Sequence, residues 1–189
     1  MTPRHAPILI ALGSNLPWND AQPIKILQNS LKKLNEIGLL TEKVSHFFAT
    51  PCFPPGAGQD YVNAAAVLKT DLSAERILAV LHNVEAIYGR ARAKRWGGRT
   101  LDLDLIAMGD AVLPNIEIWT RWCDLSSALQ MEEAPDQLIL PHPRLQDRAF
   151  VLVPLMDVAS DWCHPVIGKT VAQMLSALPQ TDVDAVRAL

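Results

Sequence analysis

Apolar and polar positions along this chain fall into segments of two periods, about two residues and about 3.6. Ile8–Leu12 is a continuous apolar run of strand length, closed by Gly13, Ser14 and Asn15, and predicts a central strand running into a loop. Ile24, Leu27, Leu31, Leu34 and Ile37 recur at helical spacing, so an amphipathic helix is expected to about Gly38. Asn19 or Asp20 can cap it, and Pro23 suits its first turn. Val44–Ala49 predicts a second strand, followed by Thr50–Gly58, too rich in Pro and Gly for helix or strand. Asp60–Lys69 predicts a third strand, with Tyr61 and Asn63 on one face. Ile77, Leu81, Val84 and Tyr88 mark a second helix, capped by Ser73 and stopped at Gly89. The fourth strand, Thr100–Met108, alternates most strictly, Leu101, Leu103 and Leu105 against Asp102 and Asp104. The segment 109–137 carries the weakest pattern, with Leu125–Met131 as a short helix. Val151–Ala159 predicts a buried helix with Pro154 in or near its first turn, and Thr170 caps a last helix, Val171–Leu178.

Strand, helix, strand, strand, helix, strand is the split βαβ order of a ferredoxin-like α+β sheet, βαββαβ. Two helices are expected on one face of that sheet and the tail elements on the other. At 189 residues the chain is expected to form a single domain, 1–189, with an insertion at about 110–137. A formal charge of −3 argues against a general nucleic-acid binder, which carries a basic footprint. Cys52, Cys123 and Cys163 are an odd number of cysteines without metal-ligand spacing, and the apolar run near the N-terminus is too brief for a leader or a membrane segment. A soluble, cytoplasmic protein is the expectation.

The chemistry concentrates in Tyr88–Met108. Arg90, Arg92, Lys94, Arg95 and Arg99 surround Trp96 and the pair Gly97-Gly98, just before the Asp-Leu-Asp alternation. Charge runs are usually solvated faces, but Asp is disfavoured inside strands and here occurs twice on one face between core leucines. Side chains two apart on a strand point the same way, with Cα atoms roughly 6–7 Å apart. Paired carboxylates beside arginines suit a polyanion carried with a hard divalent cation, because Mg²⁺ takes carboxylate and phosphate oxygens and guanidinium groups bind phosphate in bidentate fashion. These residues alone point to a nucleoside triphosphate site. Downstream, His142 stands between Pro141 and Pro143, which restrict its backbone.

At these residues the sequence resembles the 6-hydroxymethyl-7,8-dihydropterin pyrophosphokinases of folate biosynthesis. The matching pieces are Ala11–Leu16, Thr50-Pro51, Tyr61–Ala65, Gly89–Asp104, and Pro141–Arg144 followed by Arg148-Ala149-Phe150, in family order over about residues 7–165. The resemblance implies transfer of the terminal pyrophosphate of ATP to the pterin's hydroxymethyl oxygen, with release of AMP. It implies two Mg²⁺ ions held by Asp102 and Asp104, and a catalytic set of those two residues with the phosphate-binding Arg92, Arg95 and Arg99. Arg90, Trp96, Leu105, His142 and Arg148 are implied as further nucleotide-binding residues. Thr50, Pro51 and Phe53 are implied at the pterin edge, Asn63 as its hydrogen-bonding partner, and Tyr61 and Phe150 as the aromatic pair that sandwiches the ring. Glu85 is implied in a supporting role. ATP and the dihydropterin are the expected partners of a monomer that binds neither nucleic acid nor membrane. Two competing readings are a two-metal transferase with another acceptor, and a ferredoxin-like RNA-binding module, whose basic sheet carries exposed aromatics.

Overall fold

Residues 6–52, 58–89, 98–126, 129 and 135–189 are described by the structure, a computed structural model. Strand β1 (Ile8–Ser14) is buried on both faces and lies between β4 (Tyr61–Lys69) and β5 (Asp102–Met108), antiparallel to both. The region expected to form one second strand is instead divided into β2 (Leu40–Val44) and β3 (Phe48–Thr50), which pair with successive parts of β4. The break falls at Ser45. Its N–H donates to Ala65 O at 2.9 Å, and its hydroxyl accepts the Ala65 N–H at 2.9 Å. A side-chain oxygen stands in for a ladder carbonyl, so the strand bends without orphaning a buried amide. A short β6 (Arg187–Ala188) pairs with β3, giving the order β5-β1-β4-β3-β6. With helices between β1 and β2 and between β4 and β5, this is the ferredoxin-like α+β sheet.

One face is covered by α1 (Pro23–Glu36) and α2 (Ala74–Ile87), whose Ile26, Leu27, Leu34, Ile77, Leu81 and Val84 pack on Ile8, Ile10 and Leu12 of β1. The expected cap of α1 shifts. Gln22 takes the position before Pro23, and Asn19 instead turns the chain with φ +49°, a conformation Asn tolerates, where Trp18 and Ala21 exchange backbone hydrogen bonds. Ser73 caps α2, its hydroxyl accepting the Arg76 N–H, as expected.

The opposite face is covered by α4 (Ala149–Ala159) and α5 (Val171–Leu175), which bury Leu9, Ala65, Val67 and Ile106. Helix α4 begins at Ala149, earlier than expected, which puts Pro154 beyond the first turn. Thr170 caps α5 in a reciprocal box with Gln173, but the helix stops at Leu175, short of Leu178, and α6 (Gln180–Asp184) leads into β6. Between these layers, Leu101 just before β5 and Leu103 and Leu105 on it face the α1/α2 core. An extra residue, Ile106, opposite Leu9 and Ile10 then turns toward α4.

The weakly patterned segment holds a helix that the sequence pattern does not predict. It is α3 (Ile116–Asp124), with Asn115 Oδ1 accepting the Ile118 N–H at 3.0 Å and Leu125 closing it, and most of the helix expected over Leu125–Met131 lies outside the described residues. Residues 127–128 and 130–134 lie outside the described residues. Trp119 anchors α3. Its indole donates to Pro141 O at 2.7 Å, and its ring lies 5.1 Å from His164, which Trp162 flanks at 5.6 Å. Among the described residues no helix is long and apolar enough to cross a membrane.

Gly89 ends α2 with φ +72°, and a Cβ there would lie 2.0 Å from the Trp18 ring. Gly89→Ala should lower stability by at least ~2 kcal/mol through left-handed strain and overpacking, read as a lower urea midpoint.

Candidate active site

The floor of the site follows from the pairing of three strands. Gly13 on β1 lies opposite Asn63 on β4 and Asp102 on β5, and Ala11 lies opposite Ala65 and Asp104. Directly paired residues point the same way, so Asn63, Asp102 and Asp104 rise from one face, the face α4 packs on. Between them β1 contributes only a hydrogen and a methyl. A side chain at position 13 would begin 3.1 Å from Asn63 Oδ1 and 3.9 Å from the Tyr61 ring, so Gly13 keeps a trough open between the two outer strands.

That trough is a cleft of about 370 Å³, bounded by Thr50, Pro51, Tyr61 and Asn63 on one side and by Arg99, Asp102 and Asp104 on the other. The start of α4 closes it with Arg148, Phe150 and Val151. A second cavity of about 420 Å³ adjoins it and shares Asp104 and Arg148. Its walls include Leu78, Leu105, Trp122, His142, Arg144 and residues 135–139. Both fall in the size range of small-molecule sites.

Several of these polar groups are held by partners that limit their options. Asn63 Nδ2 donates to Thr50 Oγ1 at 2.6 Å. Arg99 donates from Nη1 to Asp102 Oδ2. Burial works against the Arg99 charge, yet Asp102, Asp104 and Tyr61 outweigh it and its pKa rises. Burial lowers the pKa of Arg148, opposed by Asp104; its guanidinium lies 5.7 Å from the Phe150 ring centre. Both arginines stay charged. Burial also raises the Tyr61 pKa, so it remains a phenol.

His142 is tied by its N–H to Ile106 O at 2.8 Å, and its Nδ1 accepts the Arg144 N–H at 3.1 Å, which leaves the ring proton on Nε2. Burial, with the nearby Arg148 charge, pushes its pKa down to about 3, so it is a neutral donor at pH 7. Behind β5, the buried Glu85 of α2 accepts the Leu103 N–H at 2.7 Å, fixing the strand between its two carboxylates.

Thr50, Pro51, Tyr61, Asn63, Arg99, Asp102, Asp104, Leu105, His142, Arg148 and Phe150 are thus brought to two adjoining cavities. Phe53, Arg90, Arg92, Arg95 and Trp96 lie outside the described residues. His82 is exposed and lines neither cavity. Sequence reasoning missed Gly13 and Ala11 as the trough and Leu78, Trp122 and 135–139 as walls. Small residues inside a central strand were the available signal for the first pair; the walls had none. Among the described residues no cluster of three or more His, Cys, Asp or Glu could hold a metal by itself. The pair Asp102 and Asp104 still fits a cation that completes its shell with ligand phosphates and water, since both carboxylates open on one cleft.

The model of the 7,8-dihydro-6-hydroxymethylpterin-pyrophosphokinase family matches residues 9–160. The 2-amino-4-hydroxy-6-hydroxymethyldihydropteridine pyrophosphokinase of a Synechocystis species is 35% identical over 176 residues, 93% of this chain and 77% of that protein. Those of Haemophilus influenzae and Pseudomonas aeruginosa are 35% and 34% identical, over 82% and 91% of this chain and 83% and 91% of theirs. Crystal structures of fused HPPK-DHPS chains, one in complex with substrates and one from Plasmodium falciparum, superpose with TM-scores of 0.63 and 0.61 at 12% and 14% identity. They cover 92% and 90% of this chain, which spans 43% of each fused chain; at that identity they attest the fold alone.

An unfolded histidine binds its proton near pH 6.5, whereas His142 in the folded chain does so only near 3 and His164, also depressed by burial, near 4. Between those values the unfolded state holds more protons, so stability is full above about 6.5 and falls as pH drops through the window. Urea unfolding near pH 7 and near pH 5 should show this loss, and His142→Gln should flatten it by at most ~1.4 kcal/mol per pH unit.

Proposed function

The chain belongs to the 7,8-dihydro-6-hydroxymethylpterin-pyrophosphokinase family, and from that premise we propose that its paired cavities transfer the terminal pyrophosphate of ATP to the hydroxymethyl group of 6-hydroxymethyl-7,8-dihydropterin, releasing AMP. The observation that carries the reading is the shared wall. Asp104 and Arg148 border both the cleft beside Tyr61, Asn63 and Phe150 and the cavity beside His142 and Leu105, so two ligands would meet over the acidic pair.

In this reading the pterin lies in the first cleft. Its flat ring packs between Tyr61 and Phe150, while Asn63 and the Thr50-Pro51 segment meet its polar edge. Exposure of 41% of Phe150 supports this, because an aromatic at the mouth of a polar cleft gains burial when a flat ligand covers it. The nucleotide lies in the second cavity, with Leu105 and neutral His142 against it and its phosphates reaching Arg148 and Arg99. Arg90, Arg92, Arg95 and Trp96 are assigned to the phosphates by sequence resemblance.

Displacement at the β-phosphorus asks the protein mainly for alignment and charge compensation. The hydroxymethyl oxygen forms the new bond to phosphorus, the bond to the AMP oxygen breaks, and the hydroxyl proton leaves to an oxygen acceptor, for which Asp102 and Asp104 are within the same cleft. Asp102 and Asp104 would hold two Mg²⁺ ions, which when bound offset phosphate charge and polarise the transferring group. Arg99, locked to Asp102, presents a fixed cation to the phosphoryl group that reaches the first cleft. The whole chain would act as one pyrophosphokinase unit, a monomer in the cytoplasm working on small molecules without nucleic acid or membrane. No disulfide joins Cys52, Cys123 and Cys163, in keeping with a reducing compartment.

A transferase with a different acceptor would not need the Asn63–Thr50 edge. Formation of AMP from ATP should therefore require the reduced pterin; AMP formed equally well without it would favour the other transferase. The RNA-binding reading loses support because carboxylates, not a basic sheet, line the open face. Asp102→Ala and Asp104→Ala should each lower kcat by about 10²–10³-fold with the fold intact, and EDTA should abolish turnover until Mg²⁺ is restored. Near-normal rates in either variant would remove the metal role.

A further inference from the structure

Asn15 lines neither cavity, yet it is 3% exposed and spans the two sides of the site. Its Nδ2 donates to Gln59 O at 2.9 Å, and its Oδ1 accepts the Arg99 N–H at 2.7 Å. Gln59 lies two residues before Tyr61, and Arg99 three residues before Asp102. One planar amide thus ties the segment that enters β4 to the segment that enters β5. The orientation of the amide is not ambiguous, because a carbonyl can only accept and a backbone N–H can only donate. An aspartate could keep the second bond and not the first.

The two sides are anchored unequally. The Arg99 side is also held to the end of β1 by the backbone N–H groups of Asn15 and Leu16, which donate to Arg99 O at 2.9 and 3.2 Å. The Ser14 hydroxyl adds a bond to Thr100 O at 2.6 Å. A side chain at Gly98 would meet Leu16 at 2.7 Å, so this segment also lies closely against β1. Breaking the amide bridge would leave Arg99 in register with β1 and free Gln59 from it, with the Cys52 Sγ–Gly58 O bond at 3.2 Å remaining on that approach.

We propose that Asn15 is a positioning residue that couples the two halves of the site, so that a ligand ordering Arg99 also orders the Tyr61–Asn63 side, and the reverse. The proposal rests on the assignment of the pterin to the first cleft and the nucleotide to the second. Such coupling is reciprocal, and a link of this kind typically changes affinity by about 5–150-fold. In the wild-type chain, a non-hydrolysable ATP analogue with Mg²⁺ should tighten pterin binding, and the pterin alone should slow hydrogen exchange of the Arg99 amide. In Asn15→Ala and Asn15→Asp the affinity gain should shrink toward one, with affinity for the analogue alone about unchanged in Asn15→Asp.

Titration calorimetry with the pterin, in the presence and absence of the analogue, decides the matter. A variant that keeps the wild-type gain overturns the proposal, as does a wild-type chain whose Arg99 amide ignores the pterin. That second measurement holds even if both variants fail to fold. Failure of the wild-type chain to bind either ligand would instead defeat the functional reading, and the coupling with it. Binding of both without coupling defeats the role of Asn15 alone.

Discussion

Leu101, Leu103 and Leu105 decide where the two carboxylates of β5 must stand. All three are buried under α1 and α2, each worth about 1.5–3 kcal/mol when withdrawn from water. A slip of one residue would expose the three leucines and drive Asp102 and Asp104 into the same apolar layer, adding the cost of burying charge. No other register is close in energy, so the pleat forces both acids to the α4 side. Ala11 and Gly13 oppose them across β1 and leave the space above the sheet open. The placement of the two acids is therefore a by-product of core packing, and Glu85 reinforces it by taking up the Leu103 amide on the outer edge of β5.

The electrostatics of the cleft follow from that placement. Asp102 and Asp104 face Arg99 and Arg148, so among the described residues the fixed charges of the first cleft nearly cancel. Arg99 is held charged by the acids beside it even though burial opposes its charge. Next to Arg148, His142 is held neutral, so the second cavity gains a hydrogen-bond donor without a further cation. A site so balanced is not a simple anion trap. Under the proposed function it would suit a polyphosphate that arrives with its own metal ions, and the Asn63–Thr50 edge would select a heterocycle by its polar pattern rather than by charge.

The order of elements was legible because it rests on local periodicity. The runs in β1, β4 and β5 and the stripes of α1 and α2 appear within a few residues of their expected bounds. Misplacements share one cause, a longer-range contact overriding a local pattern. Ser45 breaks the expected second strand because its hydroxyl answers an amide of β4, twenty residues away in sequence. Helix α3 escaped notice because one side of it is held by Trp119 reaching Pro141 and His164 rather than by a continuous apolar stripe. In the site, Asp102, Asp104, Tyr61 and Asn63 were visible as rule-breaking or paired positions on strands. Gly13 and Asn15 were visible as loop formers and as part of a family-matching stretch but not as site residues, although one opens the trough and the other bridges its two sides.

The sequence by itself determined the ferredoxin-like order, the facing of the two acids and the family to which their motif belongs, since each depends on residue spacing along one strand or on a contiguous motif. Only the tertiary structure decided that two cavities meet at Asp104 and Arg148, that His142 is neutral, and that the Asn15 amide just past β1 joins the approaches to β4 and β5. Those properties arise where segments far apart in the chain come within hydrogen-bonding distance, and a spacing rule carries no information about such encounters.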